Sequence, residues 1–137
     1  MSKPSAAPSA QALAGLARDV SQHAYSPYSG VRVGAAVVSA EGEVFTGCNV
    51  ENASYGLTQC AERNAIAAAM AAGVAPRGLR ELAVYATGFE VLSPCGACRQ
   101  VMSELLAEDA LIHSCSERGE MRSWSMDQLF PEPFVLE

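Results

Sequence analysis

The chain has 137 residues, half of them hydrophobic, and a formal net charge of −6. This length suits one domain with a proper core, and because no apolar run is long enough to span a bilayer we expect no association with membranes. The nine Lys and Arg residues are spread thinly along the chain, which argues against a nucleic-acid partner and favours a small-molecule substrate.

The N-terminal residues and the cysteine count bear on domain organisation and compartment. Residues 1–8 are rich in Ala, Ser and Pro and lack the continuous apolar core of a signal peptide. We therefore expect a disordered tail over 1–8 and a single domain over 9–137. Five cysteines are an odd number, which favours free thiols and metal ligands in a reducing cytoplasm over disulfides.

The first half of the domain predicts a helix followed by a β-hairpin. An amphipathic helix begins after Ser9, because apolar residues recur with the i, i+3, i+4, i+7 pattern at Leu13, Leu16, Ala17, Val20 and Ala24. A loop with Ser, Pro and Gly over 25–30 follows it. Strands over 31–39 and 44–50 flank a short turn and pair as a hairpin.

The second half of the domain alternates helices with strands. After a polar loop, the predicted elements are a helix at about 59–72, a strand at 81–86, a helix at 94–107, a strand at 110–115, a short strand near 121–124 and a helical turn near 126–130. Alanine-rich composition lets the first of these helices lie close to a sheet, and Gly73 ends it. This alternation indicates an α/β fold whose mixed sheet has helices on both faces.

Two cysteine segments carry the strongest chemical signal. Cys60 stands two residues before Glu62, and Cys95 and Cys98 form a C-x-x-C pair after Pro94. Three thiolates without a fourth protein ligand leave one position of a zinc tetrahedron open for water, as in a catalytic site. Because ligands of α/β sheets gather where strands end and helices begin, we expect two helix starts to point at one metal.

The positions of these residues at the helix starts can also be predicted. We expect Cys60 in the first turn of its helix, so that Glu62 can curl over the same helix end. For the second helix, Ser93 is a good N-cap and Pro94 suits the first helical position. The open backbone amides and the positive end of each helix dipole would stabilise thiolates there.

Other interpretations of the same residues stay open at this point. A cytosolic C-x-x-C can be a redox pair, and an isolated cysteine can be a small core residue. A closed structural zinc site with Cys48 or Cys115 as fourth ligand is the sharpest alternative, although a second C-x-x-C is missing. Glu62 favours the catalytic site, because a structural zinc needs no neighbouring general base. Neither His23 nor His113 is expected to be a ligand.

A family resemblance becomes visible at these motifs. Residues 60–63 read C-A-E-R and residues 94–98 read P-C-G-A-C, similar to the H/C-x-E and P-C-x-x-C signatures of zinc-dependent nucleobase deaminases. The chain more closely resembles the small cytidine deaminases, whose order and spacing of sequence blocks it keeps from about 10 to 135, at 26–29, 33–36, 47–55, 60–63 and 93–101.

The resemblance implies a fold, an activity and an assembly. The fold would be a three-layer α/β/α sandwich with a five-stranded mixed sheet. The activity would be hydrolytic deamination of cytidine and 2′-deoxycytidine, in pyrimidine salvage, with one Zn²⁺ per subunit. Glu62 would move protons from water to the base and then to the departing amine, since one carboxylate can serve sequential transfers. The family is commonly a homotetramer whose sites are shared between subunits.

The resemblance also implies how a nucleoside is held. Asn49 and Glu51 match the ribose-binding pair, and an amide with a carboxylate can hold a sugar 3′-hydroxyl as donor and acceptor. Ala61 matches a position whose backbone contacts the base. Three more residues match positions that reach a neighbouring subunit's site, namely Ala53, Tyr55 and Phe134. On their own, these would be ordinary loop or core residues.

Basic and amide side chains beside the cysteines are candidates for supporting roles. Three thiolates on one zinc carry a net negative charge, so a neutralising partner is expected, and the adjacent Arg63 is a strong donor. In three-cysteine family members the matching arginine hydrogen-bonds the thiolates; a solvated helix arginine is the alternative. Arg99 and Gln100 resemble positions whose side chains help to orient the metal ligands without binding the metal themselves.

One residue departs from the family pattern. Val31 stands where the family usually has a Phe that stacks on the pyrimidine ring, and Val offers a smaller apolar face. We expect weaker nucleoside binding or a pocket suited to a bulkier base, so a deaminase of a modified cytosine nucleoside or a nucleoside antibiotic is the alternative activity. A polynucleotide-editing deaminase is disfavoured by the acidic charge, and a closed zinc module is the non-enzymatic alternative.

Overall fold

The computed structural model of the protein describes residues 7–88 and 90–136, so most of the expected tail at 1–8 lies outside the described residues. Within these ranges the chain forms helices and strands in alternation, with a short 3₁₀ helix at Tyr55–Leu57. In chain order they are α1 (Ala10–Ser21), β1 (Val33–Ser39), β2 (Val44–Cys48), α2 (Ala61–Ala71), β3 (Leu79–Ala86), α3 (Gly96–Leu105), β4 (Leu106–Ser116), β5 (Met121–Ser125) and α4 (Met126–Leu129).

The strands form one mixed sheet in the order β2-β1-β3-β4-β5. The β3–β4 pair is parallel and the other three pairs are antiparallel. Helix α1 packs on one face, while α2, α3 and α4 pack on the other. The predicted α/β/α sandwich with a five-stranded mixed sheet is therefore confirmed. In the described part of the chain, no helix is both long enough and apolar enough to cross a membrane.

Helix α1 lies close to the sheet because the residues in contact, such as Ala17 and Gly34, are small. Ser9 caps it as predicted, accepting a hydrogen bond from the Ala12 backbone amide at 3.1 Å. A Cβ added at Gly34 of β1 would lie 1.8 Å from the Ala17 carbonyl oxygen, so only glycine allows this approach. The predicted pattern was wrong at its end, because the helix stops at Ser21 and Ala24 lies beyond it.

Helix α2 approaches β2 in the same way. A Cβ added at Gly47 would lie 2.4 Å from the Ala65 backbone nitrogen, and Ala61, Ala65 and Ala69 are fully buried. This agrees with the expectation that an alanine-rich helix packs close to a sheet. Gly73 follows the helix with a φ of 96°, a conformation that favours glycine after a helix end. The packing fixes the position of the start of α2.

Several predicted element bounds differ from the observed ones. β1 begins at Val33 and not at 31, and β2 ends at Cys48 and not at 50. Val50 instead makes isolated bridges to Tyr25 and Gln59, because the chain leaves the sheet at this point to form the rim of a cavity. β4 begins at Leu106, directly after α3, and not at 110.

A buried histidine ties three strands together on the face that α1 covers. His113 of β4 is 5 % exposed, and its Nε2 lies 2.9 Å from Glu81 Oε2 of β3 while its Nδ1 lies 2.7 Å from Ser123 Oγ of β5. Both ring nitrogens therefore have partners, as a buried polar group requires. His113 is a packed structural residue, and it is absent from the metal-ligating cluster described below.

Candidate active site

Two helix N-termini meet at one place through cysteines at their caps. Cys60 is the N-cap of α2 and Cys95 is the N-cap of α3, each with extended backbone. Two expectations were wrong here: Cys60 precedes the first turn, and Ser93 and Pro94 lie before the helix start. Serine is the commoner cap, but the cysteine takes the position because its side chain must face the other helix start.

The three predicted cysteine ligands lie together. The Sγ atoms of Cys60, Cys95 and Cys98 are within 4.8 Å of one another, and those of Cys60 and Cys95 are 3.9 Å apart. Tetrahedral zinc with sulfur at ~2.3 Å requires sulfur pairs about 3.8 Å apart, so the group fits the metal. Neither Cys48 nor Cys115 belongs to this cluster, so a closed four-cysteine site is not formed by the described residues.

The cluster is electrostatically suited to hold charged sulfur. Arg63 Nη2 donates to Cys60 Sγ at 3.2 Å. A hydrogen bond from Cys98, supported by Arg63, lowers the pKa of Cys60 to about 5, whereas the hydrogen bond to Cys60 and burial raise the pKa of Cys98. Arg63 Nε is buried and has no hydrogen-bond partner among the described residues. A half-buried guanidinium that donates to one of the three thiols matches the charge that a thiolate–zinc group carries.

The carboxyl group of Glu62 is buried beside these thiols. Glu62 lies in the first turn of α2 and is 6 % exposed. Burial raises its pKa, and the negative charge at Cys60 adds to the effect. A carboxyl group with a raised pKa exchanges protons more readily near neutral pH than an exposed one. The position therefore suits a group that first accepts a proton and then returns it.

A cavity of about 210 Å³ opens beside the cysteines and Glu62. Its walls are mostly apolar and come from five segments of the chain; the lining residues are Val33, Asn49, Thr58, Gln59, Cys60, Ala61, Glu62, Val84, Leu92, Ser93, Pro94 and Cys95. Sequence reasoning missed Val84 and Leu92. Val84 lies near the carboxyl end of β3 and Leu92 in the loop that follows, and this was the available signal, since ligands bind there in α/β sheets.

The expected sugar-binding pair is divided between two neighbouring depressions. Asn49 lines the cavity, and its carboxamide accepts from the Val33 amide at 2.8 Å and donates to the Val31 carbonyl at 2.9 Å. Glu51 lies in an adjoining surface depression. Thr58 lines both depressions. A ligand in the cavity could therefore reach Glu51 only by extending over the rim at Thr58.

Ala61 lines this cavity as expected, whereas the four remaining expected substrate contacts lie outside it. Among the described residues, its wall includes Val33 and not Val31, which is half-buried. Ala53 is exposed, and the side chains of Tyr55 and Phe134 are 77 % and 70 % exposed. Within a single chain, Ala53, Tyr55 and Phe134 therefore do not line the cavity beside the cysteine cluster.

The two expected supporting residues on α3 bind backbone atoms. Arg99 donates from Nε to the Pro94 carbonyl at 2.8 Å and from Nη1 to the Leu129 carbonyl at 2.6 Å. Gln100 Nε2 donates to the Phe134 carbonyl at 3.0 Å. Arg99 thus anchors the residue before Cys95, and Gln100 anchors the C-terminal segment. The described hydrogen bonds link neither side chain to a thiol.

Comparison with known families agrees with this geometry. The sequence model of the cytidine and deoxycytidylate deaminase zinc-binding region matches residues 8–114. The chain belongs to this family. It is accordingly an enzyme of the zinc-binding deaminase class, and the cluster of Cys60, Cys95 and Cys98 is able to hold the metal ion.

Individual relatives cover nearly the whole chain. Cytidine deaminase from Halalkalibacterium halodurans is 43% identical over 114 residues, which are 83% of this chain and 85% of the relative. Cytidine deaminase from Mycobacterium tuberculosis is 41% identical over 127 residues, covering 91% and 89% of the two chains. The crystal structure of cytidine deaminase from Burkholderia pseudomallei superposes with a TM-score of 0.87 at 45% identity, covering 90% of this chain and 98% of that one.

Proposed function

We propose that the protein hydrolyses cytidine and 2′-deoxycytidine to uridine and 2′-deoxyuridine with release of ammonia. The observation that carries this proposal is the group of three cysteine sulfurs, with zinc-compatible spacing, next to the buried carboxyl group of Glu62 at one cavity. The names of the relatives support cytidine as the substrate.

Zinc held by Cys60, Cys95 and Cys98 would supply the Lewis acidity that makes water a competent nucleophile at neutral pH. Glu62 then carries the protons. Its carboxylate accepts one proton from the attacking water and delivers it to N3 of the cytosine ring, and it moves the second to the amine that leaves as ammonia. Its burial and raised pKa suit both halves of this exchange.

The residues around the cavity can hold the nucleoside. Ala61 is the first residue of α2, so its backbone amide lacks an intrahelical partner and is free to meet the base. Asn49 uses one hydrogen and one lone pair of its carboxamide for backbone, which leaves one of each for a sugar hydroxyl. Val84 and Leu92 provide apolar surface for the ring. Glu51 would meet the sugar over the rim at Thr58.

We also propose that sites are shared between subunits of a homotetramer in the cytoplasm. Tyr55 and Phe134 are large apolar residues with more than two thirds of their surface exposed, and together with Ala53 they match positions that reach a neighbouring site. The five free cysteines suit a reducing compartment. Light scattering tests the assembly: a fully active monomer would contradict the shared site.

A deamination assay tests the main proposal. Wild-type protein is assayed spectrophotometrically with cytidine, deoxycytidine, 5-methylcytidine and cytosine, with and without a chelator. We expect chelator-sensitive turnover of cytidine and deoxycytidine. Turnover of 5-methylcytidine in preference to cytidine would instead support the alternative that Val31 suggests, a deaminase of modified cytosine nucleosides. No turnover of any of these nucleosides would overturn the proposal.

A further inference from the structure

A serine in the loop between α1 and β1 hydrogen-bonds both Glu51 and Val31. The Ser29 hydroxyl donates to Glu51 Oε2 at 2.5 Å and accepts from the Val31 backbone amide at 3.0 Å. Ser29 is exposed and lines the depression that contains Glu51. Sequence reasoning gave this residue no role, although it lies within the block at 26–29.

The same loop fixes both oxygens of the Glu51 carboxylate. Besides the bond from the Ser29 hydroxyl to Oε2, the backbone amides of Tyr28 and Ser29 donate to Oε1 at 2.9 and 3.1 Å. The Ser29 hydroxyl is the largest cause of the lowered pKa of Glu51, so this carboxylate stays ionised. A carboxylate held by three donors keeps a fixed direction but has lone pairs left for a further donor.

The hydrogen bonds continue from Ser29 to the cavity. Val31, whose amide is bound by Ser29, accepts from Asn49 Nδ2 through its carbonyl, and Asn49 Oδ1 accepts from the Val33 amide. A continuous chain of hydrogen bonds therefore runs from Glu51 through Ser29 and Val31 to Asn49. Glu51 and Asn49, at the two ends of this chain of bonds, are the residues that the proposed function assigns to the sugar.

Exposure indicates that the Ser29–Glu51 part of this chain of bonds serves binding more than folding. Ser29 is exposed and Glu51 is half-buried, and water replaces such hydrogen bonds at little net cost to stability. Fixing two ligand-binding groups before the ligand arrives has a different benefit. It removes the entropy cost of ordering them during binding, which strengthens binding without any new contact.

We propose that Ser29 is a positioning residue, whose hydroxyl aligns the Glu51 carboxylate with the Val31–Asn49 segment so that both groups meet the nucleoside sugar in a preformed arrangement. This inference rests on the proposed function, since it requires a nucleoside in the cavity. It assigns Ser29 no contact with the reacting atoms, so its effect falls on substrate binding and not on the chemical step.

The test compares Ser29→Ala with Ser29→Thr and with the matched control Ser26→Ala in the full chain. Ser26 lies in the same loop, and no side-chain hydrogen bond is described for it. Ser29→Ala should raise KM for cytidine about five- to tenfold, the effect of one lost hydrogen bond, with kcat within about twofold. Ser29→Thr keeps the hydroxyl and should restore KM, and Ser26→Ala should leave it unchanged.

A substrate without the sugar 3′-hydroxyl separates positioning from general structure. With 3′-deoxycytidine, Ser29→Ala should leave KM close to the wild-type value, because the hydroxyl that Glu51 would bind is missing. In a Glu51→Ala background, Ser29→Ala should add little, since the two residues act as one unit. A loss of packing would raise KM equally for both substrates.

Failure of this inference can be told apart from failure of the proposed function. An active wild type in which Ser29→Ala behaves like Ser26→Ala, or in which its KM rises equally for cytidine and 3′-deoxycytidine, overturns the role of Ser29 alone. A wild type that deaminates neither substrate overturns the proposed function, and the role of Ser29 with it.

Discussion

The cysteine cluster and the cavity rim are built in opposite ways. The cluster lies at the starts of two helices that pack on the sheet. Its Cys98 and the neighbouring Glu62 are buried. The rim around Glu51 and Tyr55 is made of exposed loops joined mainly by hydrogen bonds. The groups proposed to do chemistry thus lie on helices packed on the sheet, while the groups that would hold the sugar lie on loops, where sequence can vary without disturbing the core.

The largest effect should come from replacing Glu62, the proposed proton carrier on the helix that packs on the sheet. Glu62→Gln keeps size and hydrogen-bonding capacity but cannot exchange a proton. We expect kcat for cytidine to fall by about 10³-fold or more, while metal analysis still finds one zinc per subunit. A Glu62→Gln variant that deaminates at the wild-type rate would show that this carboxyl group is not the proton carrier.

Loss of one sulfur should affect metal content as well as rate. Cys98→Ala removes a buried ligand from α3, so we expect activity and bound zinc to be lost together. Cys115→Ala is the matched control, because Cys115 lies outside the cluster; it should keep both. Elemental analysis and the deamination assay measure the two quantities. Full zinc content in Cys98→Ala would argue against the three-sulfur site.

The packing of α2 can be disturbed separately from the rim. Gly47→Ala would place a Cβ 2.4 Å from the Ala65 nitrogen, and we expect it to lower the free energy of unfolding by about 3 kcal/mol. Gly56→Ala, in the exposed 3₁₀ helix of the rim with open space around it, should change it by less than about 0.5 kcal/mol. Urea unfolding measures the free energy of unfolding of both variants. Equal losses of stability would contradict the expected difference between tight helix packing and an open rim.

The smallest expected effect concerns the residue that departs from the family pattern. Val31→Phe enlarges the apolar face near the nucleoside and should lower KM for cytidine by about two- to tenfold, the value of an added aromatic contact. Val31→Leu adds volume without an aromatic ring and is the control. An unchanged or raised KM in Val31→Phe would mean that position 31 does not reach the base.

The sequence alone predicted the fold class, the approximate positions of the helices and strands, and the three cysteines of the cluster. Apolar residues recur at every second position in a strand and at every third or fourth position in a helix. These patterns can be read from the sequence because they depend only on neighbouring residues. Cys60, Cys95, Cys98 and Glu62 could be named because few residue types bind zinc or carry protons, and because they fall in two short motifs, C-x-E and C-x-x-C. Helix starts were misplaced at Ser93 and Pro94, because cap preferences are weaker than the requirement that both cysteines face one point.

Tertiary structure decided the walls of the cavity and the connections at its rim. Val33 and Val84 come together because β1 and β3 pair with Ala35 opposite Val84, and no local pattern specifies that register. The same holds for His113 between Glu81 and Ser123, and for Ser29 between Glu51 and Val31. Each contact joins segments distant in sequence, or depends on a loop conformation that only the packed sheet fixes.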